Sequence, residues 1–222
     1  MTKLFSIITV VAVGIGVGCD VNIHVGNGMT VKGSGRVVSE RREISGFNSV
    51  DLAGSMDVEV THSDTFKCTL RGDDNILPLI VTDIREQRLC ISTRQSYSTR
   101  QRLVVLLEAP EITEVALNGS GDINMTGVTR DRIVLRIAGS GNIVASGTAQ
   151  QVDAEVSGSG DLKLGGLVAE KVKAVITGSG DADVWAKQSL HAMVNGSGDI
   201  IYSGNPEKLQ THLNGSGHIV KK

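Results

Sequence analysis

The tripeptide Gly-Ser-Gly recurs along this sequence at nearly constant spacing. In the C-terminal half it begins at Gly119, Gly139, Gly158, Gly178, Gly196 and Gly215, at intervals of 20, 19, 20, 18 and 19 residues. A seventh copy begins at Gly33, and Gly54-Ser55-Met56-Asp57 is a degenerate eighth. A fixed period of roughly 20 residues is typical of folds that stack one structural unit on copies of itself.

Apolar residues occupy the same positions in every repeat. Two residues before the first glycine stand Leu117, Ile137, Val156, Ile176, Val194 and Leu213; four residues after it stand Ile123, Ile143, Leu162, Ala182, Ile200 and Ile219. These offsets are even, whereas the odd offsets hold mostly polar residues, so the repeat predicts β-strands with one apolar face. Eight residues after the first glycine, Gly127, Gly147, Gly166, Ala186 and Gly204 predict a second corner.

A repeat of this length cannot bury its own apolar face, but stacked repeats enclose a continuous core. We therefore predict an all-β chain folded as a parallel β-solenoid, a β-helix whose turns of about 19 residues lie about 4.8 Å apart. Both glycines of each tripeptide fall at inward offsets, where a side chain would crowd a bend or a positive φ is needed. An antiparallel sandwich or barrel is the alternative.

The remaining segments divide the chain into parts. Residues 36–112 repeat the pattern less regularly and are predicted to form wider, irregular turns at the N-terminal end, before the regular repeats of residues 113–222. Residues 19–35 are predicted to be a flexible tether. Residues 1–18 contain Lys3 followed by an uncharged apolar run, which is shorter than a membrane-spanning helix needs and has the layout of an export signal peptide; a membrane-spanning anchor is the alternative.

The cysteines indicate an exported chain. The stretch from Ile15 to Cys19 resembles a bacterial lipoprotein box, so we expect Cys19 to be lipidated and to anchor the chain to the membrane of the cell envelope. Gly16 stands where that box usually has a large aliphatic residue, which leaves ordinary signal-peptidase cleavage open. Cys68 and Cys90 could form a disulfide. Their alternation places them on opposite faces, so we expect separate packed thiols.

Longer motifs resemble a known family. The stretches from Gly33 to Phe47 and from Gly72 to Leu77, with the Gly-Ser-Gly-Asp series, resemble the bacterial domain of unknown function called putative auto-transporter adhesin, head GIN domain. The resemblance covers about residues 33–220. It implies a right-handed β-helix exported to the cell envelope, often as a lipoprotein. It supplies no active-site residues.

Two polar columns could carry chemistry. Three residues after the first glycine stand Asp122, Asn142, Asp161, Asp181, Asp199 and His218. Stacked charges about 4.8 Å apart would repel by about 0.9 kcal/mol per pair in water. We expect these side chains to accept backbone N–H bonds at the corner. A calcium-binding edge with Asp161, Asp181 and Asp199 as ligands is the alternative.

The second column immediately precedes the first glycine and consists of Asn118, Ala138, Ser157, Thr177, Asn195 and Asn214. We expect these small polar side chains to hydrogen bond to one another along the stack, with a ligand-contacting ridge as the alternative. His191 and His212 are expected to face solvent on neighbouring turns.

Composition and motifs exclude several functions. A formal net charge of −2 without a basic run argues against nucleic-acid binding. Catalytic triads, phosphate-binding loops and cofactor motifs are missing from the sequence, so no cofactor is expected. We predict a non-catalytic envelope lipoprotein that presents a repetitive polar surface for adhesion to a protein or glycan. A carbohydrate-active β-helix enzyme and a structural envelope spacer are the alternatives.

Structural features can discriminate between these functions. An enzyme needs a cleft with clustered carboxylates in unlike environments. A binder needs an exposed non-repeating patch or loop, such as the polar stretch from Gln95 to Arg102, and a spacer needs neither. Sugar-binding clefts also use aromatic platforms, for which the candidates are Tyr97, Trp185 and Tyr202.

Overall fold

The computed structural model describes residues 30–222. Its strands, in which inward and outward side chains alternate, are stacked on one another. The first strands are β1 (Val31–Lys32), β2 (Val37–Arg42), β3 (Ser49–Gly54), β4 (Asp57–His62), β5 (Lys67–Asp73), β6 (Ile80–Arg85), β7 (Arg88–Thr93), β8 (Tyr97–Ser98) and β9 (Val104–Ala109). A short 3-10 helix at Leu77–Leu79 precedes β6. The regular repeats supply β10 (Glu114–Gly119), β11 (Ile123–Gly139), β12 (Ile143–Gly158), β13 (Leu162–Gly178), β14 (Ala182–Gly196), β15 (Ile200–Ser203), β16 (Lys208–Gly215) and β17 (Ile219–Lys221).

The repeats form a parallel β-solenoid, as the sequence predicts. We call one turn of it a rung and its two main faces sheet A and sheet B. Sheet A runs in the order β6, β7, β3, β10, the C-terminal halves of β11 to β14, and β16. Sheet B runs through β2, β5, β9, β4, the N-terminal halves of β11 to β14, β15 and β17.

The first glycines of the tripeptides stack in register. Gly54 pairs with Gly119, and the column continues through Gly139, Gly158, Gly178, Gly196 and Gly215. From Gly54 to Gly196, the carbonyl oxygen of each first glycine accepts two hydrogen bonds from the next rung; that of Gly139, for example, accepts the N–H groups of Ser159 at 2.9 Å and Gly160 at 3.1 Å. The degenerate copy at Gly54 therefore belongs to the same column.

Glycine is required here because adjacent rungs approach closely. At Gly158, where φ is +132°, an added Cβ would lie 2.3 Å from the carbonyl oxygen of Gly139. At Gly160 it would lie 2.0 Å from the carbonyl oxygen of Gly141. The predicted need for glycine is confirmed, and the main obstacle to a side chain is the neighbouring backbone along the solenoid axis.

The second corner differs from the prediction. Gly147 pairs with Val128 and Leu167, and Gly166 pairs with Ser146, so the second glycines form no aligned column. The register shifts fall between Met125 and Val128, Val144 and Ser146, Lys163 and Val168, and Ala169 and Lys171. Because the first corner is fixed by its close packing, differences in repeat length are absorbed by bulges at the second corner.

The irregular turns at the N-terminal end have an unexpected order. β3 and β4 form a rung that lies between the rung of β7 and β9 on one side and the rung of β10 and β11 on the other. The chain thus leaves the stack after β4, builds the outer rung, and returns at β10. Antiparallel pairing of β2 with β5, β5 with β9, and β6 with β7 closes this end.

The end of the predicted tether is part of the fold. Val31 and Lys32 pair with Tyr97 and Ser98. The N–H of Gly35 donates to Asp73 Oδ1 at 2.8 Å. The Gly-Ser-Gly copy at Gly33 therefore packs beside Asp73 and Thr99, outside the glycine column. The predicted signal peptide, the predicted lipidation site Cys19 and the remainder of the predicted tether lie outside the described residues.

The core confirms the inward offsets. Leu117, Ile137, Val156, Ile176 and Val194 are all at most 1% exposed. Cys68 is buried and free, so the expected absence of a Cys68–Cys90 bridge is confirmed. Cys90 is in register with Asp51 on the outer face of sheet A, as the alternation predicts; it is nevertheless buried, and it is not a free thiol. Within residues 30–222, no helix is long and apolar enough to span a membrane.

Replacing Gly158 by Ala tests the close approach of the rungs. We expect G158A to lower the free energy of unfolding by at least about 2 kcal/mol, because the Cβ meets a backbone carbonyl and φ is positive. The matched control is S159A, whose side chain is exposed; it should change stability by less than about 0.5 kcal/mol. Urea unfolding followed by circular dichroism measures both. Equal stability of the two variants would contradict the steric explanation.

The free thiol gives a second test. Burial raises the pKa of Cys68 from its ordinary value of 9.0 to about 12, opposed by the nearby charge of Arg42. We expect Cys68 to resist a thiol-reactive label at pH 8 in the native chain and to react after denaturation, as mass spectrometry of the labelled peptide can show. Since the folded pKa is the higher one, this group's contribution to stability is complete below pH 9.0 and is lost as the pH rises towards 12. Rapid native labelling of Cys68 would contradict its burial.

Candidate functional site

The aspartate column forms a hydrogen-bond ladder between rungs. The backbone N–H of Asn142 donates to Asp122 Oδ1 at 3.0 Å. The same bond links Asp161 to Asn142 at 3.2 Å, Asp181 to Asp161 at 3.1 Å, Asp199 to Asp181 at 2.8 Å, and His218 to Asp199 at 2.7 Å. Each side chain therefore accepts the N–H of its counterpart one rung further along, which confirms the predicted structural role.

These hydrogen bonds explain how the carboxylates can stack despite their mutual repulsion. Hydrogen bonds to a charged acceptor are stronger than neutral ones and offset a repulsion of about 0.9 kcal/mol per pair. Asn142 separates Asp122 from Asp161, and Lys163 Nζ lies 3.7 Å from Asp161 Oδ2. Among residues 30–222, no group of three or more His, Cys, Asp or Glu side chains could hold a metal ion. The calcium candidates Asp161, Asp181 and Asp199 thus each direct one oxygen at the backbone.

The column that immediately precedes the first glycine behaves differently from the prediction. Asn118 Nδ2 donates to Asp51 Oδ1 at 2.8 Å, which is a diagonal contact to another column. In the described part of the chain, no hydrogen bond joins two members of this column. Ala138 has no polar side chain and interrupts the column. His191 and His212 also lie apart, since His191 pairs with Gln210 and His212 with Met193.

The outer surface of sheet A is where the repeat varies most. Its three central columns lie seven, five and three residues before the first glycine. From the N-terminal to the C-terminal end they are, in turn, Arg132, Gln151, Lys171, Ser189 and Lys208; Glu114, Val134, Asp153, Lys173, His191 and Gln210; and Asp51, Ala116, Arg136, Glu155, Val175, Met193 and His212. A flat parallel sheet displays all of them on one side.

Ion pairs occupy the N-terminal half of this surface. Glu114 contacts both Arg88, at 3.2 Å, and Arg136. Arg136 Nε also lies 3.5 Å from Glu155 Oε2, and Arg132 Nε donates to Asp153 Oδ2 at 2.7 Å. Every carboxylate named here has an arginine partner on an adjacent strand.

The C-terminal half holds cations without carboxylate partners. Lys171, Ser189 and Lys208 are in register on successive rungs, with Lys173 and His191 beside them. None of the three lysines forms an ion pair with any carboxylate of residues 30–222. His191 Nδ1 lies 3.2 Å from Gln210 Oε1. We call Lys171, Lys173, His191, Lys208 and Gln210 the cationic patch.

Two adjoining surface grooves follow this change in charge. One of about 560 Å³ is lined by Arg132, Arg136, Asp153, Glu155 and Met193 among others. A second of about 330 Å³ is lined by members of the cationic patch, together with Gln151 and Ser189. The two share Gln151, Lys173 and His191, so they form one shallow depression across the sheet.

The other predicted candidates are less accessible. The stretch from Gln95 to Arg102 is held to the body by the pairing of β8 with β1, and Tyr97 is half-buried against the core. Tyr202 is half-buried as well, whereas Trp185 is 39% exposed on the opposite sheet. Sequence reasoning missed the cationic patch. The detectable signal was the change from Asp153 to Lys173 to His191 at a single offset within otherwise repeating units.

Substitution of Asp181 tests the ladder. D181N keeps the oxygen that accepts the N–H of Asp199, as Asn142 does naturally, so stability should change little. D181A removes the acceptor and should lower the free energy of unfolding by about 1 kcal/mol. Urea unfolding measures both, and the asparagine variant serves as the control for the lost charge. An equal loss in both variants would show that the charge of Asp181, and not its hydrogen bond, matters.

Known structures share this architecture. A putative adhesin from Bacteroides fragilis is 23% identical, with a TM-score of 0.69 over 86% of this chain and 100% of its own. A putative lipid binding protein from Parabacteroides distasonis is 26% identical, with a TM-score of 0.56 over 87% of this chain and 100% of its own. A putative adhesin from the same species is 20% identical, with a TM-score of 0.51 over 87% and 100%.

No curated protein shows significant similarity to the sequence. The family described as putative auto-transporter adhesin, head GIN domain, matches residues 46–206. That range includes the glycine column from Gly54 to Gly196, the aspartate ladder from Asp122 to Asp199 and most of the outer surface of sheet A. The resemblance inferred from the motifs is thereby confirmed: the chain belongs to the head GIN domain family of putative auto-transporter adhesins.

Proposed function

We propose that this protein is a non-catalytic binding module of the cell envelope whose outer sheet A surface binds an acidic glycan. The observation that carries the proposal is the cationic patch. Lys171 and Lys173 on one rung and Lys208 two rungs further along have no carboxylate partner among the described residues, while the neighbouring arginines are all paired. Exposed cations of one sign attract an anionic partner and speed its association.

The groove has the features that an extended polysaccharide requires. Gln151, Ser189 and Gln210 stand among the lysines and can hydrogen bond to sugar hydroxyls. Lys171 and Lys208 are separated by one rung, hence by about 9.6 Å along the axis. An acidic polymer lying along the axis can thus place successive charges against successive lysines. The repeat spaces the lysines regularly along the axis, and the outward positions, whose residues differ between rungs, supply the positive charge.

Ion pairing also supports a non-catalytic role. Glycoside hydrolysis uses two carboxyl groups, one of which must be free to donate a proton. Glu114, Asp153 and Glu155, the carboxylates of this surface within the regular repeats, each contact an arginine. The names of the similar structures, putative adhesins and a putative lipid binding protein, are compatible with binding as well.

Anchoring of the chain is part of the proposal. A lipid on Cys19 would hold the solenoid at the surface of an envelope membrane, with residues 20–30 as the connection. This placement rests on the signal-like run and the lipoprotein-like box of the sequence. It would leave the outer surface of sheet A free for a glycan of the envelope or of a neighbouring cell.

Charge reversal in the patch tests the proposed function. We expect K171E/K173E to weaken binding to heparin and polygalacturonate at least about tenfold, and binding to be lost at high salt. The matched control R94E/R100E makes the same change in net charge at exposed arginines elsewhere. Calorimetric titration with these two polyanions, and with neutral dextran, measures the effect. Equal loss in both variants would indicate a non-specific charge effect, and absence of binding to every probe would favour the spacer.

A further inference from the structure

The two ends of the solenoid differ. At the N-terminal end, the 3-10 helix at Leu77–Leu79 and the fully buried Ile76 cover the core, and Arg42 donates to the carbonyl of Leu77 at 3.2 Å. The two edge strands at this end carry ion pairs: Arg42 with Glu40 at 2.8 Å on β2 of sheet B, and Arg85 with Asp83 at 3.1 Å on β6 of sheet A. Charged residues on an edge strand prevent the addition of another strand. The N-terminal end is therefore closed.

The C-terminal end of the described chain is open. β16 pairs with β14 on one side and has no strand of residues 30–222 on the other. Its inward side chains continue the core columns, yet Leu209 is 46% exposed and Leu213 is 47% exposed. All eight residues of β16 are exposed. Unpaired backbone groups and apolar side chains together form a template for pairing with another strand.

We propose that this end pairs with the same end of a second copy of the chain, so that two β16 strands lie antiparallel about a two-fold axis. A head-to-tail arrangement would require the closed N-terminal end to accept a strand. An end-to-end arrangement uses one surface on both copies and closes after two. It continues sheet A from one molecule into the next and covers the exposed leucines.

The sequence of β16 fits one register of this pairing. Directly opposed residues must share a face, which restricts the two-fold axis to a residue position. An axis at Thr211 places Leu209 opposite Leu213 of the second copy, and Leu213 opposite Leu209, on the core side. It pairs Gln210 with His212, and Lys208 with Asn214, on the outer side. No two like charges face each other in β16, and both leucines are covered. Moving the axis to His212 would place Leu209 opposite Gly215 and leave it poorly packed.

Dimerisation would enlarge the binding surface. Because the axis is normal to sheet A, the outer surfaces of both copies face the same way. The cationic patch reaches Lys208 and Gln210 on β16 itself, so the two patches would adjoin across the junction. A polymer that spans both gains affinity through the second contact. The pairing itself depends only on β16 and does not depend on the nature of the ligand.

A single cysteine tests the axis. In the full chain, T211C places two thiols at directly opposed positions, whose separation in an antiparallel pair suits a disulfide. We expect oxidised T211C to migrate as a covalent dimer on a non-reducing gel. The control Q188C, exposed on β14 away from the edge, should remain a monomer. Sedimentation of the unsubstituted chain should give twice the monomer mass.

Charge substitutions test the register. L209K should shift the mass to that of a monomer, because two lysines then enter the apolar junction. The double variant L209K/L213E should restore the dimer, since each lysine then faces a glutamate of the other copy. Circular dichroism confirms that both variants fold, and the T211C result does not depend on them. The proposal would be overturned if the unsubstituted chain sediments as a monomer and T211C forms no covalent dimer. The N-terminal segment or a lipid surface would then be the candidates for covering this end. A dimer that L209K/L213E fails to restore would overturn the register.

Discussion

The close stacking of backbone at the Gly-Ser-Gly corner governs the rest of this structure. Each first-glycine carbonyl accepts two N–H groups from the next rung, and both glycines leave no space for a Cβ. These backbone hydrogen bonds fix the position of every rung along the solenoid axis. Residues on either side of the corner are therefore brought into register from Gly54 to Gly215. Differences in repeat length are moved to the second corner, where bulges accommodate them.

Fixed register separates structural from functional residues. Inward positions face the core, so they are apolar in nearly every rung, and the aspartate ladder is hydrogen bonded to the backbone of the next rung. In the regular repeats, outward positions of sheet A contact solvent and side chains of neighbouring strands but not the core, so they can change without disturbing the stack. The change from ion-paired arginines to lysines without carboxylate partners occurs there. A repetitive scaffold thus supports a surface that does not repeat.

Several features could be predicted from the sequence because they depend on local periodicity. Even offsets identified the core, and the spacing of the tripeptides identified the parallel stack. Backbone acceptance by the aspartates followed from the usual behaviour of such residues at corners. The prediction that the side chains from Asn118 to Asn214 hydrogen bond to one another was wrong. Whether such a side chain reaches its counterpart on the next rung depends on its rotamer and its neighbours. The cationic patch was missed because pairing of a lysine depends on residues nearly 20 positions away.

The sequence by itself determined the parallel solenoid, the face of each strand that is buried, and the glycine corner, because the period of the repeat expresses all three. The tertiary structure decided the order of rungs at the N-terminal end, where β3 and β4 lie between strands that follow them in the chain. It also decided which end is closed. Antiparallel strands cover the N-terminal end, whereas Leu209 and Leu213 are exposed at the C-terminal end. Both outcomes depend on which distant strands pair. The alternation of polar and apolar residues does not reveal this, because it is the same in parallel and antiparallel strands.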